Sequence, residues 1–132
     1  MRVFLDTHVW FAASATTGLC EALLKKLFET NEVLASELAW TEFADLLVRK
    51  LHFSNEEIGL ARGMFQAAEL VLDVAEPADD NDARLLAAAR SAGADLFVTG
   101  DKRVPGWKSS GPVAIATPRE AWISLFAPHL KH

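Results

Sequence analysis

Acids that close apolar runs are the residues of this chain best placed to do chemistry. Arg2-Val3-Phe4-Leu5 is a short run ending in Asp6, and Leu96-Phe97-Val98 leads through Thr99 and Gly100 to Asp101. Such runs read as strands covered on both faces of a sheet. In open α/β sheets ligands bind beyond the carboxyl ends of the strands, so Asp6 and Asp101 are predicted at such an edge. Asp82 starts the helical segment that feeds the second strand, with Asp79 and Asp80 just before it. Glu42 lies four residues from both Leu38 and Leu46, on or beside an otherwise apolar helical face. If the two strands are neighbours, their terminal carboxylates repel, and they must take up protons or hold a cation. Oxygen donors favour Mg2+ or Mn2+, and no Cys/His spacing of the zinc type is present. A carboxylate-held divalent pair polarises a phosphodiester, generates hydroxide from water and steadies the leaving oxygen. Each acid also has a structural reading. Asp6 and Asp101 suit turns or caps, Asp82 suits a helix start, and Glu42 suits a side chain snorkelling from the core edge. Asp79 and Asp80 read first as cap or loop residues. Spacing alone does not show that these acids converge.

The elements that would position them follow from the hydrophobic pattern. Arg2 to Asp6 is a strand, and Thr7 to Thr17 a loop or helix holding Trp10 and Phe11. Leu19 to Thr30 reads as an amphipathic helix, with Leu23, Leu24, Leu27 and Phe28 on one face. Val33 to Ser36 is a short strand, and Ser36 is suited to cap a helix reaching about Leu51. The apolar face of that helix holds Leu38, Ala39, Phe43, Leu46, Leu47 and Leu51. Ser54-Asn55-Glu56-Glu57 marks another helix start, predicted to run to about Glu69, before a strand from Leu70 to Val74. The helix that Asp82 starts is predicted to stop at Gly93, which takes up the left-handed conformation without a Cβ clash. A loop over Lys102 to Pro112 leads to a last strand, Val113 to Thr117. Pro118 then opens a final helix, where its missing N–H costs nothing. Strands alternating with helices imply an α/β fold with a parallel sheet and helices on both faces.

The bulk properties narrow the function classes. The chain has 132 residues, of which 51% are hydrophobic, so one domain spanning residues 1–132 with a sizeable core is expected. No apolar run approaches a membrane span, and the N-terminus reads as a strand rather than a secretory signal. Cys20 has no partner for an internal disulfide. Both features point to the cytoplasm. The net charge of -5 argues against a broad basic surface gripping nucleic acid, but it allows cations in an acidic cleft to face a phosphate.

Beyond these physical readings, the sequence resembles PIN domains, and among them the VapC-type toxins of bacterial toxin–antitoxin pairs. The likeness is carried by FLDTHVW at the start, SELAWTEFADLLVRK in the middle, DARLLAAARSAGADLFVTGD, and the closing VAIATPREAW. It implies a three-layer α/β/α fold with a central parallel sheet. It also implies Mg2+- or Mn2+-dependent endoribonuclease activity, with Asp6, Glu42, Asp82 and Asp101 as catalytic and metal-holding acids and Thr99 as an orienting hydroxyl. The D-D-N-D run leaves the register of the third acid open between Asp82 and Asp80, with Asp80 an additional candidate able to share or replace the role of Asp82. His8 stands where Asn is common and reads as structural; Val104 and Pro105 stand where an aromatic often follows the last acid. The resemblance further implies an RNA substrate, a small antitoxin partner and a homodimer. Lys102 and Arg103, then Lys108, are the candidate guides for the RNA backbone. Trp10 and Trp40 read as core before groove. The first alternative is a catalytically silent PIN domain that binds RNA or protein. A second is a phosphoryl-transfer enzyme with Asp6 as nucleophile, which would need an acid where His8 stands.

Overall fold

Val3, Phe4 and Leu5, all fully buried, form the centre of the first strand, β1 (Arg2–Leu5). The computed structural model describes residues 1–100 and 109–130. Beyond β1 the chain runs through α1 (Thr7–Ala15), α2 (Leu19–Thr30), β2 (Glu32–Ser36), α3 (Glu37–Leu51), α4 (Asn55–Phe65) and β3 (Glu69–Val71). It continues through α5 (Asn81–Ser91), β4 (Leu96–Val98), β5 (Ser109–Ser110), β6 (Val113–Ala116) and α6 (Pro118–Phe126), ending in a short 3-10 turn, Pro128–Leu130.

The strands form one sheet in the order β3-β2-β1-β4-β6-β5. The first five pair in parallel, as the alternation of strands and helices predicts, and helices flank the sheet. The two-residue β5 pairs antiparallel to β6, inside a stretch read from sequence as loop. Two residues carry too little pattern to announce a strand. β1 lies between β2 and β4, with Val3 opposite Leu96 and Leu5 opposite Val98. That register sets the residues that follow β1 and β4, Asp6 and Thr99, at the same edge.

Local signals set the ends of the helices. Ser36 accepts from the Ala39 amide at 3.3 Å, as expected of a cap. Ser54 and Glu57 form a reciprocal capping box, and so do Thr117 and Glu120, with Pro118 in the first turn of α6. Gly93 has φ of 74° and follows α5, in the conformation expected of its stop. Thr7 to Ala15, open between loop and helix from sequence, is helical because Asp6 caps it. The helix expected to run to Glu69 ends instead at Phe65. The next two turns tighten, with the amides of Ala67 and Ala68 donating to the carbonyls of Met64 and Phe65. This brings Glu69 into register with Leu34, so the strand starts one residue earlier than predicted and stops at Val71. Asp73 then turns its side chain to the Leu38 amide, 3.0 Å away, rather than extending the strand. Leu51, placed on the apolar face of α3 from its spacing, is 36% exposed at the last turn.

An aromatic cluster fixes α1 against α3 and α4. The Trp10 ring lies 4.6 Å from Phe65 and 6.2 Å from Phe43, and the Trp40 ring 5.3 Å from Phe65. Trp10 is therefore core, while Trp40 is half-buried beneath the Arg62 guanidinium, which stands 5.2 Å from its ring and pairs with Glu37. Phe65 is fully buried at the centre of this cluster. Phe65→Ala is expected to lower the unfolding free energy by about 3–5 kcal/mol in urea titration. Leu60→Ala, at a position 70% exposed on the same helix, is expected to stay within about 0.5 kcal/mol of the parent.

Candidate active site

Parallel pairing of β1 and β4 carries a carboxylate into the interior. Asp6 follows β1 and is only 6% exposed. Its amide donates to the Val98 carbonyl at 3.0 Å, which holds the backbone beside β4 for one residue past the strand. Its Oδ1 accepts from the Val9 amide at 3.2 Å, capping α1. Its Oδ2 accepts a short hydrogen bond from the hydroxyl of Thr99, which is itself 4% exposed. Burial pushes the Asp6 carboxyl above its ordinary pKa. The Thr99 and Val9 hydrogen bonds and nearby His8 oppose that rise, and the negative charge of Asp82 adds to it. The same Asp6 charge, after burial, helps raise the thiol of half-buried Cys20.

Glu42 reaches the same edge from α3, where it is half-buried. Its Oε1 accepts from the Thr7 hydroxyl at 2.7 Å and its Oε2 from the Asn81 amide nitrogen at 2.9 Å. Thr7 directly follows Asp6, and Asn81 directly precedes Asp82. The Glu42 carboxylate is thus tied to the neighbours of two other acids. At the start of α5, Asp80 and Asp82 differ in what they do. Asp80 is the N-cap and spends Oδ1 on the Ala83 amide at 3.0 Å. Asp82 stands in the first helical turn, close enough for its charge to act on Asp6.

At the carboxyl edge of the central strands the structure thus joins Asp6 to Thr99, ties Glu42 to the residues beside Asp6 and Asp82, and sets Asp82 within range of the Asp6 charge. Asp101, Lys102, Arg103 and Lys108 lie outside the described residues. Among the described residues no three acidic, His or Cys side chains are close enough together to hold a metal ion. Trp10 faces the core and His8 is exposed. Thr7 and Asn81 are participants that the sequence reading passed over. Thr7 was legible only as the hydroxyl next to Asp6, and Asn81 only as the one neutral member of an acidic run. Nothing in the spacing says that both meet Glu42.

The comparisons with known proteins agree with this fold. The PIN domain family matches residues 2–103 of the chain. No curated protein sequence matches it significantly. The crystal structure of VapBC2 from Rickettsia felis bound to a DNA fragment from their promoter contains a chain that is similar to this one in fold. The two superpose with a TM-score of 0.63 at 15% identity, over 89% of this chain and 98% of that one. The buried acid after β1, the parallel sheet and a family match covering most of the sequence lead to one conclusion: the chain belongs to the PIN domain family.

Proposed function

We propose that the protein is a Mg2+- or Mn2+-dependent endoribonuclease, a toxin of the VapC type held in check by a small antitoxin. The observation that carries the reading is the buried Asp6 carboxylate at the sheet edge of a PIN domain, with Glu42 bonded to its neighbour Thr7 and Asp82 near enough for its charge to act on it. A carboxylate with its charge disfavoured by burial and by a neighbouring acid is a group that a cation relieves. The donors are all hard oxygens, which suit Mg2+ or Mn2+ better than zinc or copper. Asp6, Glu42 and Asp82 would hold the ion, joined by Asp101, with Asp80 kept at its capping task. When bound, such an ion polarises the phosphodiester and supplies hydroxide at neutral pH.

The protein's own groups have separate tasks in this reading. Thr99 fixes the Asp6 carboxylate through Oδ2, and the Val9 amide fixes it through Oδ1. Held at both oxygens, Asp6 presents its remaining lone pairs in a constant direction. Thr7 does the same for Glu42 at Oε1. Lys102 and Arg103, next to Asp101 in sequence, guide the RNA backbone. With a net charge of -5, that guidance is local rather than a broad basic surface. The VapBC2 structure is of a toxin and antitoxin together, and its fold likeness supports an antitoxin partner here. A homodimer and a cytoplasmic location complete the proposal. Among the described residues no helix is long and apolar enough to cross a membrane.

Incubation of the protein with RNA and a Mn2+ titration tests the activity. Cleavage is expected to rise with Mn2+ and stop on chelation, and Asp6→Asn is expected to lower it at least about 100-fold. Unchanged cleavage by Asp6→Asn would remove the assignment. RNA held but uncut at every Mn2+ concentration would mark a PIN domain that only binds.

The raised pKa of Asp6 also sets a pH dependence for the chelated protein. A carboxyl whose pKa is higher folded than unfolded contributes stability that is complete below the unfolded value, about 3.9. That contribution is lost as pH rises through the folded value. Thermal melts of chelated protein should therefore show an Asp6 contribution that falls with rising pH in that window. Asp6→Asn should flatten it, and added Mn2+ should restore stability on the alkaline side. Parallel pH profiles for the parent and Asp6→Asn would contradict this.

A further inference from the structure

Asn81 is exposed at the start of α5, yet its side chain is engaged at both ends. Its Nδ2 donates to Glu42 Oε2 at 2.9 Å, and its Oδ1 faces Arg84 Nη1 at 3.4 Å. The guanidinium of Arg84 is itself tied down, its Nε donating to the Val74 carbonyl at 2.7 Å. Chemistry dictates which way the amide points. A carboxylate only accepts and a guanidinium only donates, so the NH2 must face Glu42 and the oxygen must face Arg84. The arrangement is a relay across three elements: the segment before α5 holds Arg84, Arg84 orients Asn81, and Asn81 orients Glu42 on α3.

We propose that Asn81 is a positioning residue for Glu42, holding its carboxylate in the direction from which it serves a divalent cation. The inference rests on the metal-dependent reading given above. Glu42 reaches the site from a different helix than the acids it joins, on a side chain with several rotatable bonds. Two donors, one on each oxygen, restrict it: Thr7 from α1 and Asn81 from α5. A carboxylate offers about four lone-pair directions, so the two that remain are left for an ion. Both donors are neutral, so they orient the carboxylate without cancelling its charge as a lysine or arginine would. Arg84 stands one residue further from Glu42, with the amide between them. Partners of this outer kind, which touch a ligand and not the ion, change metal affinity by about 10- to 100-fold when removed.

Mn2+ binding by the full chain, measured by calorimetry without RNA, tests this. The variants are Asn81→Ala, Glu42→Ala and the double substitution. Asn81→Ala is expected to weaken Mn2+ binding about 10- to 100-fold. Because the side chain is exposed, the thermal midpoint of the chelated protein should stay within about 3 °C of the parent. In the Glu42→Ala background the same change should cost less than about twofold, since a residue acting only through Glu42 has nothing left to orient. Parent-like affinity in Asn81→Ala would overturn the proposal, as would an equal loss in both backgrounds. Those results would leave the metal-dependent reading standing. Unchanged Mn2+ affinity in both Glu42→Ala and Asp6→Asn would overturn that reading instead, and the role of Asn81 with it.

Discussion

A buried carboxylate is the constraint on which the rest of this molecule turns. Taking Asp6 out of water opposes its charge, and among the described residues its hydrogen bonds come from neutral donors, Thr99 and the Val9 amide, with His8 the one nearby group whose charge favours it. An interior acid with neutral partners is tolerated at a cost to stability that a purely structural cap need not carry. Serine or threonine would cap α1 as well, without a charge. In the function proposed above, the carboxylate at this position is kept for what it binds. The Asp82 charge points the same way, since it adds to the disfavour rather than relieving it.

The sheet makes that constraint possible. β1 lies inside the sheet, between β2 and β4, so the residue after it emerges among backbone strands rather than in solvent. The Asp6 amide to Val98 carbonyl bond extends the pairing one residue past β1, and the Thr99 hydroxyl closes the next rung. Glu42 and Asp82 come from helices outside the sheet, α3 and α5. Glu42 is bound to Thr7, the residue next to Asp6, whereas α5 holds Asp82 near enough for its charge to act against that of Asp6. The aromatic cluster of Trp10, Phe43 and Phe65 locks α1 and α3 together behind this edge. Packing fixes the helices, and hydrogen bonds then fix the carboxylates they carry.

Much of this was legible in the sequence because it depends on local signals. The apolar runs before Asp6 and Thr99 announce buried strands, Ser36 and Ser54 announce helix starts, and Gly93 announces a stop. The acids themselves stood out as charges at the ends of apolar segments, and the family resemblance joined them. What stayed hidden depends on contacts between distant parts of the chain. The Thr7–Glu42 and Asn81–Glu42 bonds span 35 and 39 residues, and no periodicity reports them. The end of α4 was misplaced because the turn after Phe65 is set by the pairing of Glu69 with Leu34, not by the residues in between. The two-residue β5 is defined only by its partner β6. Asp80 and Asp82 were indistinguishable by spacing; the structure makes Asp80 the N-cap of α5 and sets Asp82 in its first turn.

In the proposed function Asp6 is buried in order to face a cation together with Glu42 and Asp82. The most direct measurement is crystallographic: crystals soaked in Mn2+, with anomalous scattering used to locate the metal. An anomalous peak is expected at the carboxyl edge of β1, within coordination distance of an Asp6 carboxylate oxygen and bordered by Glu42 and Asp82. A well-ordered Asp6 with no peak beside it at saturating Mn2+, or a peak held by other residues elsewhere, would contradict a metal-holding role for Asp6.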